Sequence, residues 1–202
     1  MKLYYAPGAC SMATHIALCE ARLPHELERV DLGSHKTASG MDYMRVNPKG
    51  YVPALGLDGG AILTENVAVL QYVADRVPDM GLAPKTGTLE RYRLIEWLAF
   101  ISTEVHKQFS PFFRPNTTDE AKAAQLQLLA RRFDYLVHTL SIEQYLLGGR
   151  FTVADAYLFT VLNWTHMVKI DLGTWAPLTA YMERIGNRDG VREAMRAEGL
   201  IK

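Results

Sequence analysis

One cysteine in this sequence has the neighbours that chemistry at sulfur requires. Cys10 follows an apolar run and a Pro-Gly turn, and Ser11 opens a helical pattern directly after it. Unpaired backbone N–H groups and the helix dipole at a helix start favour anions, and they can lower a thiol pKa from about 8.5 to roughly 3.5–7.5. The thiolate is the reactive form, so this position favours a nucleophile. The alternative is that Cys10 packs as a small hydrophobe, as many free cysteines do.

Two hydroxyl groups near Cys10 can also act on a sulfur atom. Tyr5 and Ser11 can each donate a hydrogen bond that stabilises a bound thiolate, whereas Cys10 itself can attack a disulfide. Position 13 is Ala13, so the second thiol of a Cys-x-x-Cys motif is missing. A second external thiol is therefore needed to release any mixed disulfide on Cys10.

Cys19 belongs to a different pattern. It shares a stripe at helical i, i+4, i+7 spacing with Met12 and Ile16, which predicts a packing role. Two cysteines do not make a disulfide framework, and neither lies in a Cys/His cluster with zinc spacing. We therefore expect no metal site and a reducing, cytoplasmic location.

The composition is typical of a globular protein. Of 202 residues, 49% are hydrophobic, which is enough for one large domain or two small ones. Lys plus Arg and Asp plus Glu both number 22, so no basic excess exists to bind nucleic acid or an anionic membrane. The sequence lacks an apolar leader and any apolar run of membrane-spanning length, so we expect a soluble protein that is not secreted.

The first 77 residues mix short strands with helices. Residues 2–5 and 27–32 are predicted strands, and residues 11–22 are a predicted helix between them. A hairpin is predicted around Asp58-Gly59-Gly60, a two-glycine turn flanked by apolar runs. The helix that follows is predicted to bury one face, formed by Val67, Leu70, Ala74 and Val77.

A domain boundary is predicted at residues 78–87, which carry two prolines and two glycines without periodicity. We therefore predict a first domain at 1–77, a linker at 78–87 and an all-helical second domain at 88–202. Two helical stripes support the second domain: Leu94, Leu98, Ile101 and Val105, then Leu126, Leu129, Phe133, Leu136 and Leu140.

A capping box is predicted in the second domain. Thr152 is the expected N-cap residue, and Asp155, three residues later, takes the position that Glu usually occupies in a capping box. Residues 156–162 are apolar nearly all round, which predicts a helix at the centre of a bundle. Loss of the cap is expected to cost about 0.5–2 kcal/mol.

In this order, the motifs resemble the soluble glutathione transferases, and among them the cysteine-bearing bacterial beta class. The resemblance spans the chain and rests on Tyr5, Pro7-Gly8-Ala9-Cys10-Ser11, Asn47-Pro48-Lys49-Gly50-Tyr51-Val52-Pro53-Ala54-Leu55, Thr64-Glu65, His106-Lys107 and Phe151-Thr152-Val153-Ala154-Asp155-Ala156-Tyr157. It implies a thioredoxin-like α/β domain with a mixed βαβ-ββα sheet, which binds glutathione as co-substrate. It also implies an all-α helical bundle that shapes a hydrophobic co-substrate pocket, and a homodimer.

The resemblance also implies which residues hold glutathione. Pro53 follows a cis bond in that fold, and the Val52 backbone pairs with the cysteinyl part of the tripeptide like an added strand. Glu65 and Asn66 grip the γ-glutamyl group, although Asn66 stands where the family usually has serine. Without the resemblance, Pro53 is a proline at a strand start and Glu65 is an acid at a helix start. The implied set is Cys10, His35, Lys36, Tyr51, Val52, Pro53, Glu65, Asn66, Thr103, His106 and Lys107.

Two positions depart from the class pattern. His35 replaces a lysine that pairs with the glycyl carboxylate, so either His35 or Lys36 is expected to do that work. Ala99 replaces an asparagine that reaches across the dimer, which leaves Thr103 as the cross-subunit contact. We therefore expect a lower affinity for glutathione than in close relatives.

The resemblance assigns the helical domain a part in catalysis. His106 donates to the sulfur and Lys107 lowers the local potential, and the helical spacing places Ala99 and Thr103 on the face of His106. The catalytic set is thus Cys10, His106, Ser11 and Tyr5. The pocket aromatics are Phe109, Phe113, Tyr157 and Trp164, although aromatic stripes more often form core.

We predict conjugation of glutathione to small hydrophobic electrophiles, with glutathione-dependent thiol-disulfide exchange through Cys10. One alternative is a non-catalytic protein that binds glutathione or another ligand on the same fold. Another is a glutathione-dependent isomerase, whose family favours paired serines where this sequence has Gly8-Ala9.

Overall fold

A computed structural model describes residues 1–202, and its N-terminal part contains a five-stranded mixed sheet. The strands are β1 (Lys2–Tyr5), β2 (Glu26–Asp31), β3 (Lys36–Thr37), β4 (Ala54–Gly56) and β5 (Ile62–Thr64). Their order is β3-β2-β1-β4-β5; β1 and β2 are parallel, and the other pairs are antiparallel. Leu3 pairs with Leu27 on one side of β1 and with Leu55 on the other. The expected βαβ-ββα fold is confirmed, with the two-residue β3 as an addition.

The first helix lies between the sheet and two further helices. α1 (Ser11–Glu20) contacts β1, α2 (Asn66–Asp75) and α8 (Asp189–Ala197). Because it is covered on all sides, every residue from Ser11 to Cys19 is buried. The predicted packing role of Cys19 beside Met12 and Ile16 is confirmed, and burial raises the pKa of the Cys19 thiol to about 12.

The buried face of α2 differs from the predicted one. Leu70 and Ala74 are buried as expected, but Val67 is only half-buried and Val77 lies beyond the helix end. The face is instead completed by Asn66, Val69 and Val73. Packing against α1 sets this face, so tertiary contacts override the sequence periodicity.

The chain forms two compact units. The first comprises Met1–Ala83 and Asn187–Lys202, and the second comprises Pro84–Gly186. The last sixteen residues therefore group with the first unit, whereas the sequence placed them in a domain at 88–202. Val191 and Ala194 of α8 are fully buried in the contact with α1, and Arg188 forms an ion pair with Glu20. None of the helices is both long enough and apolar enough to span a bilayer.

The second unit contains helices only. They are α3 (Leu89–Phe100), a π-helical segment (Ile101–His106), α4 (Lys107–Phe113), α5 (Asp119–Leu140), α6 (Val153–Val168) and α7 (Ala176–Gly186). Short 3-10 turns occur at Tyr43–Arg45 and Pro78–Met80 in the first unit and at Leu172–Thr174 in the second. α6 is buried from Val153 to Leu162, as its apolar sequence predicted.

The predicted stripes of the second unit are largely correct. Leu94, Leu98, Ile101 and Val105 are fully buried. Four of the five predicted α5 positions are buried, but Leu126 is 38% exposed because its end of the helix extends beyond the core.

The π-helical segment changes the geometry around Thr103. A π turn contains about one more residue than an α turn, so the α-helical spacing assumed for Ala99, Thr103 and His106 does not hold through this segment. The Thr103 hydroxyl donates to the Ala99 carbonyl oxygen at 3.1 Å, within its own helix.

Candidate active site

Cys10 lies at the N-terminus of α1, where its sequence context predicted it. It is the N-cap residue, and its side chain is half-buried. Its thiol donates to the Val52 carbonyl oxygen at an Sγ···O distance of 3.0 Å. Its own carbonyl accepts from Nδ2 of Asn66 at 2.7 Å. The cysteine is thus held between the loop before β4 and the start of α2.

The two hydroxyl candidates beside Cys10 lie deeper in the protein. Ser11 is fully buried; its hydroxyl donates to the Ala6 carbonyl at 3.3 Å and accepts from the Ala6 N–H at 3.2 Å. These bonds close the loop between β1 and α1. Burial and the negative charge of Glu198 raise the pKa of Tyr5, so its phenol stays a neutral hydrogen-bond donor.

The Val52–Pro53 peptide bond is cis, as the resemblance implied. The loop before it is fixed by the Tyr51 carbonyl, which accepts from the Tyr43 hydroxyl and from Nδ2 of Asn47, both at 2.7 Å. Tyr43 is fully buried, whereas the Tyr51 side chain is exposed. The backbone at Val52 is therefore anchored from the protein interior.

Glu65 and Asn66 differ in how they are used. Glu65 has φ 70° just before α2, a left-handed conformation that non-glycine residues rarely adopt and that clusters at functional sites. Its exposed carboxylate pairs with Lys49, whose ammonium also donates to the Thr64 hydroxyl at 3.0 Å. Asn66 is buried: it donates to the Cys10 carbonyl and accepts from the Thr14 hydroxyl at 2.9 Å. Only Glu65 presents its side chain to solvent.

His35 has a buried ring nitrogen, Nδ1, without a hydrogen-bond partner. Its ring lies so close to Gly50 that a Cβ there would be 2.9 Å from Cε1, and Gly50 has φ 72°. A glycine is therefore required at position 50. Lys36 is exposed at the start of β3. Nδ1 of His35 is thus closed to solvent and unpaired within the protein, whereas Lys36 is open to solvent.

The second unit contains the histidine and the aromatic residues identified in the sequence. The His106 ring stands edge-on to Trp164 at a centroid distance of 4.8 Å, and Phe109 and Phe113 each stand edge-on to Trp164 at 5.6 Å. Tyr157 is edge-on to His106, and its hydroxyl oxygen lies 2.7 Å from Nδ1. Phe109, Tyr157 and Trp164 are buried, whereas Phe113 is 47% exposed. Phe113 therefore presents the largest apolar surface of the four.

Burial is the main cause that lowers the pKa of His106 to about 4, and the charge of Lys107 adds to it. The imidazole is therefore neutral at physiological pH. A neutral imidazole has one N–H and one acceptor nitrogen, so Nδ1 and the Tyr157 hydroxyl can form a hydrogen bond in either tautomer. His106 is then a neutral N–H donor and a poor base.

The lowered pKa of His106 predicts a pH-dependent contribution to stability. Folding favours the neutral ring, so this contribution is complete above pH 6.5 and falls as the pH drops toward 4. The pKa shift of His106 from 6.5 to about 4 corresponds to about 3 kcal/mol of unfolding free energy, and residual solvent contact of the ring reduces this to about 2 kcal/mol. Between pH 6.5 and 4, we expect the free energy of unfolding of His106→Gln, measured in urea, to fall by about 2 kcal/mol less than that of the wild type. His138→Gln, which changes a histidine near the end of α5, should follow the wild type; equal slopes for all three proteins would contradict the prediction.

The comparisons with known proteins agree with this arrangement. Residues 8–76 match the family model of the glutathione S-transferase N-terminal domain, and residues 100–189 match that of the C-terminal domain. Glutathione S-transferase GstA of Escherichia coli O157:H7 is 48% identical over 200 residues, which cover 99% of this chain and 100% of the relative. The chain belongs to the glutathione S-transferase family.

Solved glutathione S-transferases share its fold over the full length. A sphingomonad glutathione S-transferase complexed with glutathione is 47% identical, with a TM-score of 0.96, and the match covers 100% of both chains. The beta-class glutathione S-transferase of Sphingomonas chungbukensis has the same identity, TM-score and coverage. The resemblance to the bacterial beta class is thus confirmed.

Two residues that support the site of this glutathione S-transferase were missed in the sequence. Glu198 accepts a hydrogen bond from the Gly8 N–H at 2.8 Å and contacts His15. Although Glu198 is 190 residues from Gly8 in sequence, it fixes the turn before Cys10. No local signal points to it. Lys49 was part of a recognised motif, but its pairing with Glu65 depends on the fold.

Proposed function

We propose that this glutathione S-transferase conjugates glutathione to small hydrophobic electrophiles and exchanges thiols with disulfides through Cys10. The observation that carries the proposal is Cys10 itself. It is a half-buried thiol at a helix N-terminus, held against the Val52 carbonyl beside cis-Pro53. The helix N-terminus favours a thiolate, the hydrogen bond to the Val52 carbonyl is made by the protonated thiol and is given up when Cys10 ionises, and the anchored backbone can receive a peptide ligand.

Glutathione recognition is assigned to three parts of the first unit. The Val52 backbone receives the cysteinyl portion, as an added strand would be received. The exposed carboxylate of Glu65 can exchange Lys49 for the ammonium of the γ-glutamyl group. His35 and Lys36 are both assigned to the glycyl carboxylate, Lys36 as an exposed cation and His35 through Nδ1, which has no partner inside the protein. Asn66 supports the site by holding the Cys10 carbonyl.

Conjugation needs a donor that stabilises the glutathione thiolate without taking a proton from it. Tyr5 remains a neutral phenol, and His106 remains a neutral imidazole with one ring N–H. Both can donate to a sulfur anion, and the family resemblance assigns His106 to this role. Ser11 is engaged with Ala6, so we assign it to loop closure rather than to sulfur.

Thiol exchange proceeds in two displacements at sulfur. The Cys10 thiolate attacks the glutathionyl sulfur of a mixed disulfide, an S–S bond forms on Cys10, and the other sulfur leaves as a thiolate and takes a proton. A second glutathione thiolate then attacks the bound glutathionyl sulfur. This step releases oxidised glutathione and restores Cys10, as the alanine at position 13 requires.

The remaining assignments concern the electrophile, assembly and location. The exposed face of Phe113 is our candidate wall for a hydrophobic electrophile. Trp97, Phe100 and Tyr135 form an aromatic group on α3 and α5, with centroids 5.0–5.9 Å apart, that suits a homodimer contact. Both cysteines are free, which fits a cytoplasmic enzyme.

The assignment of Glu65 predicts a specific kinetic defect. Glu65→Gln removes a charge-assisted hydrogen bond, so we expect KM for glutathione to rise roughly 10- to 100-fold with little change in kcat. Initial rates with a chromogenic aromatic electrophile and varied glutathione measure this. Glu26→Gln is the matched control, because Glu26 forms an exposed ion pair with Lys2 elsewhere in the unit; its KM should stay within about twofold of the wild-type value. An unchanged KM in Glu65→Gln would refute the assignment, and a wild type without turnover would indicate a binding protein.

A further inference from the structure

Three metal-ligating side chains meet in the first unit, away from Cys10. His15 and Cys19 lie one turn apart on α1, and His25 lies in the loop before β2. One ring nitrogen of each histidine and Sγ of Cys19 lie within 4.8 Å of one another. His15 and Cys19 are buried and His25 is half-buried, so the group is enclosed with one side nearer to solvent.

The surroundings of both histidines resemble the outer shell of a metal site. Nδ1 of His15 is 2.9 Å from a carboxylate oxygen of Glu198, and Nδ1 of His25 is 2.8 Å from the Leu23 carbonyl oxygen. Each acceptor holds the ring proton on Nδ1 and leaves Nε2 for a cation. Metal-bound histidines in proteins almost always donate their other N–H to a carboxylate or a backbone carbonyl in this way. The two rings stand edge to face at 5.4 Å, which lets them approach one point from different directions.

The donor set decides the class of metal. Two imidazole nitrogens and one thiolate suit zinc and related borderline divalent cations, whereas magnesium and calcium prefer oxygen. Tetrahedral bonds of about 2.0–2.3 Å place ligand atoms about 3.3–3.6 Å apart, so the group must contract by about 1 Å. His25 is on a loop and half-buried, so it can supply most of that movement.

We propose that His15, Cys19 and His25 bind one zinc-class divalent cation, with a water molecule as fourth ligand. Binding forms one metal–sulfur and two metal–nitrogen bonds, and the Cys19 thiol proton passes to solvent. The cation would link α1 to the start of β2. Through Glu198, it would also be linked to the C-terminal segment of the same unit. The sequence predicted no such site because a spacing of four and then six residues does not match zinc motifs, and only the fold returns His25 to α1.

Cobalt(II) is a suitable probe because it replaces zinc and absorbs visible light. The reduced full-length protein, freed of metal with a chelator, should bind one equivalent of Co²⁺. A thiolate-to-cobalt charge-transfer band and the d–d bands of a tetrahedral site should appear, and Zn²⁺ should displace the cobalt. Cys19→Ser should abolish the charge-transfer band. His25→Gln should weaken Co²⁺ binding by about tenfold or more and, because the side chain is half-buried on a loop, should fold normally.

The matched control is Cys10→Ser, which removes the other thiol of the chain. It should keep the full charge-transfer band, because Cys10 is not in the cluster. Loss of the band in Cys10→Ser would place the metal on the reactive cysteine and overturn the proposal. The proposal is also overturned if the wild type shows no band, or if folded His25→Gln binds Co²⁺ as tightly as the wild type.

Discussion

Replacing Asp155 by alanine is expected to lower the free energy of unfolding by about 4 kcal/mol, a large part of the stability of a typical domain. The carboxylate is completely buried at the start of α6. Burial raises its pKa to about 6, against the opposing effect of its donors, so it is still ionised at pH 7 and only accepts hydrogen bonds. The alanine variant therefore loses acceptors that solvent cannot replace.

The size of the effect follows from the donors that would be left. Oδ2 accepts from the Thr152 N–H at 2.8 Å and from the Thr152 hydroxyl at 3.1 Å. Oδ1 accepts from the Leu146 N–H at 2.9 Å and from the Tyr181 hydroxyl at 3.1 Å. Cap loss alone costs about 0.5–2 kcal/mol, and each buried unpaired donor adds about 1–3 kcal/mol. Recovered desolvation of the charge offsets part of this sum, which gives the net value of about 4 kcal/mol.

A second N-cap in the same unit provides the control. The Thr118 hydroxyl accepts from the Ala121 N–H at 3.2 Å at the exposed start of α5. Thr118→Ala should cost about 1 kcal/mol, because water can satisfy the freed N–H. Urea unfolding at pH 7, followed by far-ultraviolet circular dichroism, compares the two variants. If Asp155→Ala costs no more than Thr118→Ala, the buried network does not have the stabilising role inferred for it.

The capping box shows which parts of this fold a sequence reveals. Thr152 and Asp155 are three residues apart, so their pairing is local and follows from residue type. Leu146 and Tyr181 reach the same carboxylate from 9 and 26 residues away, and no local pattern specifies them. The sequence therefore identified the cap but underestimated its energy, because half of the donors arrive through tertiary structure.

The same distinction applies to the candidate site. The turn and helix start around Cys10 are local, and the sequence identified them correctly. The pairing of Glu65 with Lys49 and the support from Glu198 depend on how separate segments meet. The π turn was missed for a related reason: hydrophobic spacing continues through it, but the positions of polar side chains shift.

Replacing Cys10 by alanine is expected to reduce the rate of the proposed glutathione-dependent disulfide reduction by about a thousandfold or more, because the nucleophile itself is removed. Intact mass of the wild type after incubation with oxidised glutathione should show one glutathionyl adduct, and Cys10→Ala should show none. Conjugation of an electrophile should fall by less than about tenfold, because the attacking thiolate there belongs to glutathione and not to Cys10.

Cys19→Ala is the matched control, because it also removes one thiol but leaves Cys10 in place. In the metal-free protein Cys19 is buried and its thiol has a pKa of about 12, so it stays protonated and should not compete for oxidised glutathione. The adduct should therefore persist in Cys19→Ala with the same stoichiometry as in the wild type. An adduct that disappears in Cys19→Ala and survives in Cys10→Ala would reverse the assignment. If conjugation and disulfide reduction both collapse in Cys10→Ala, then Cys10, and not the neutral donors, serves the sulfur in both reactions.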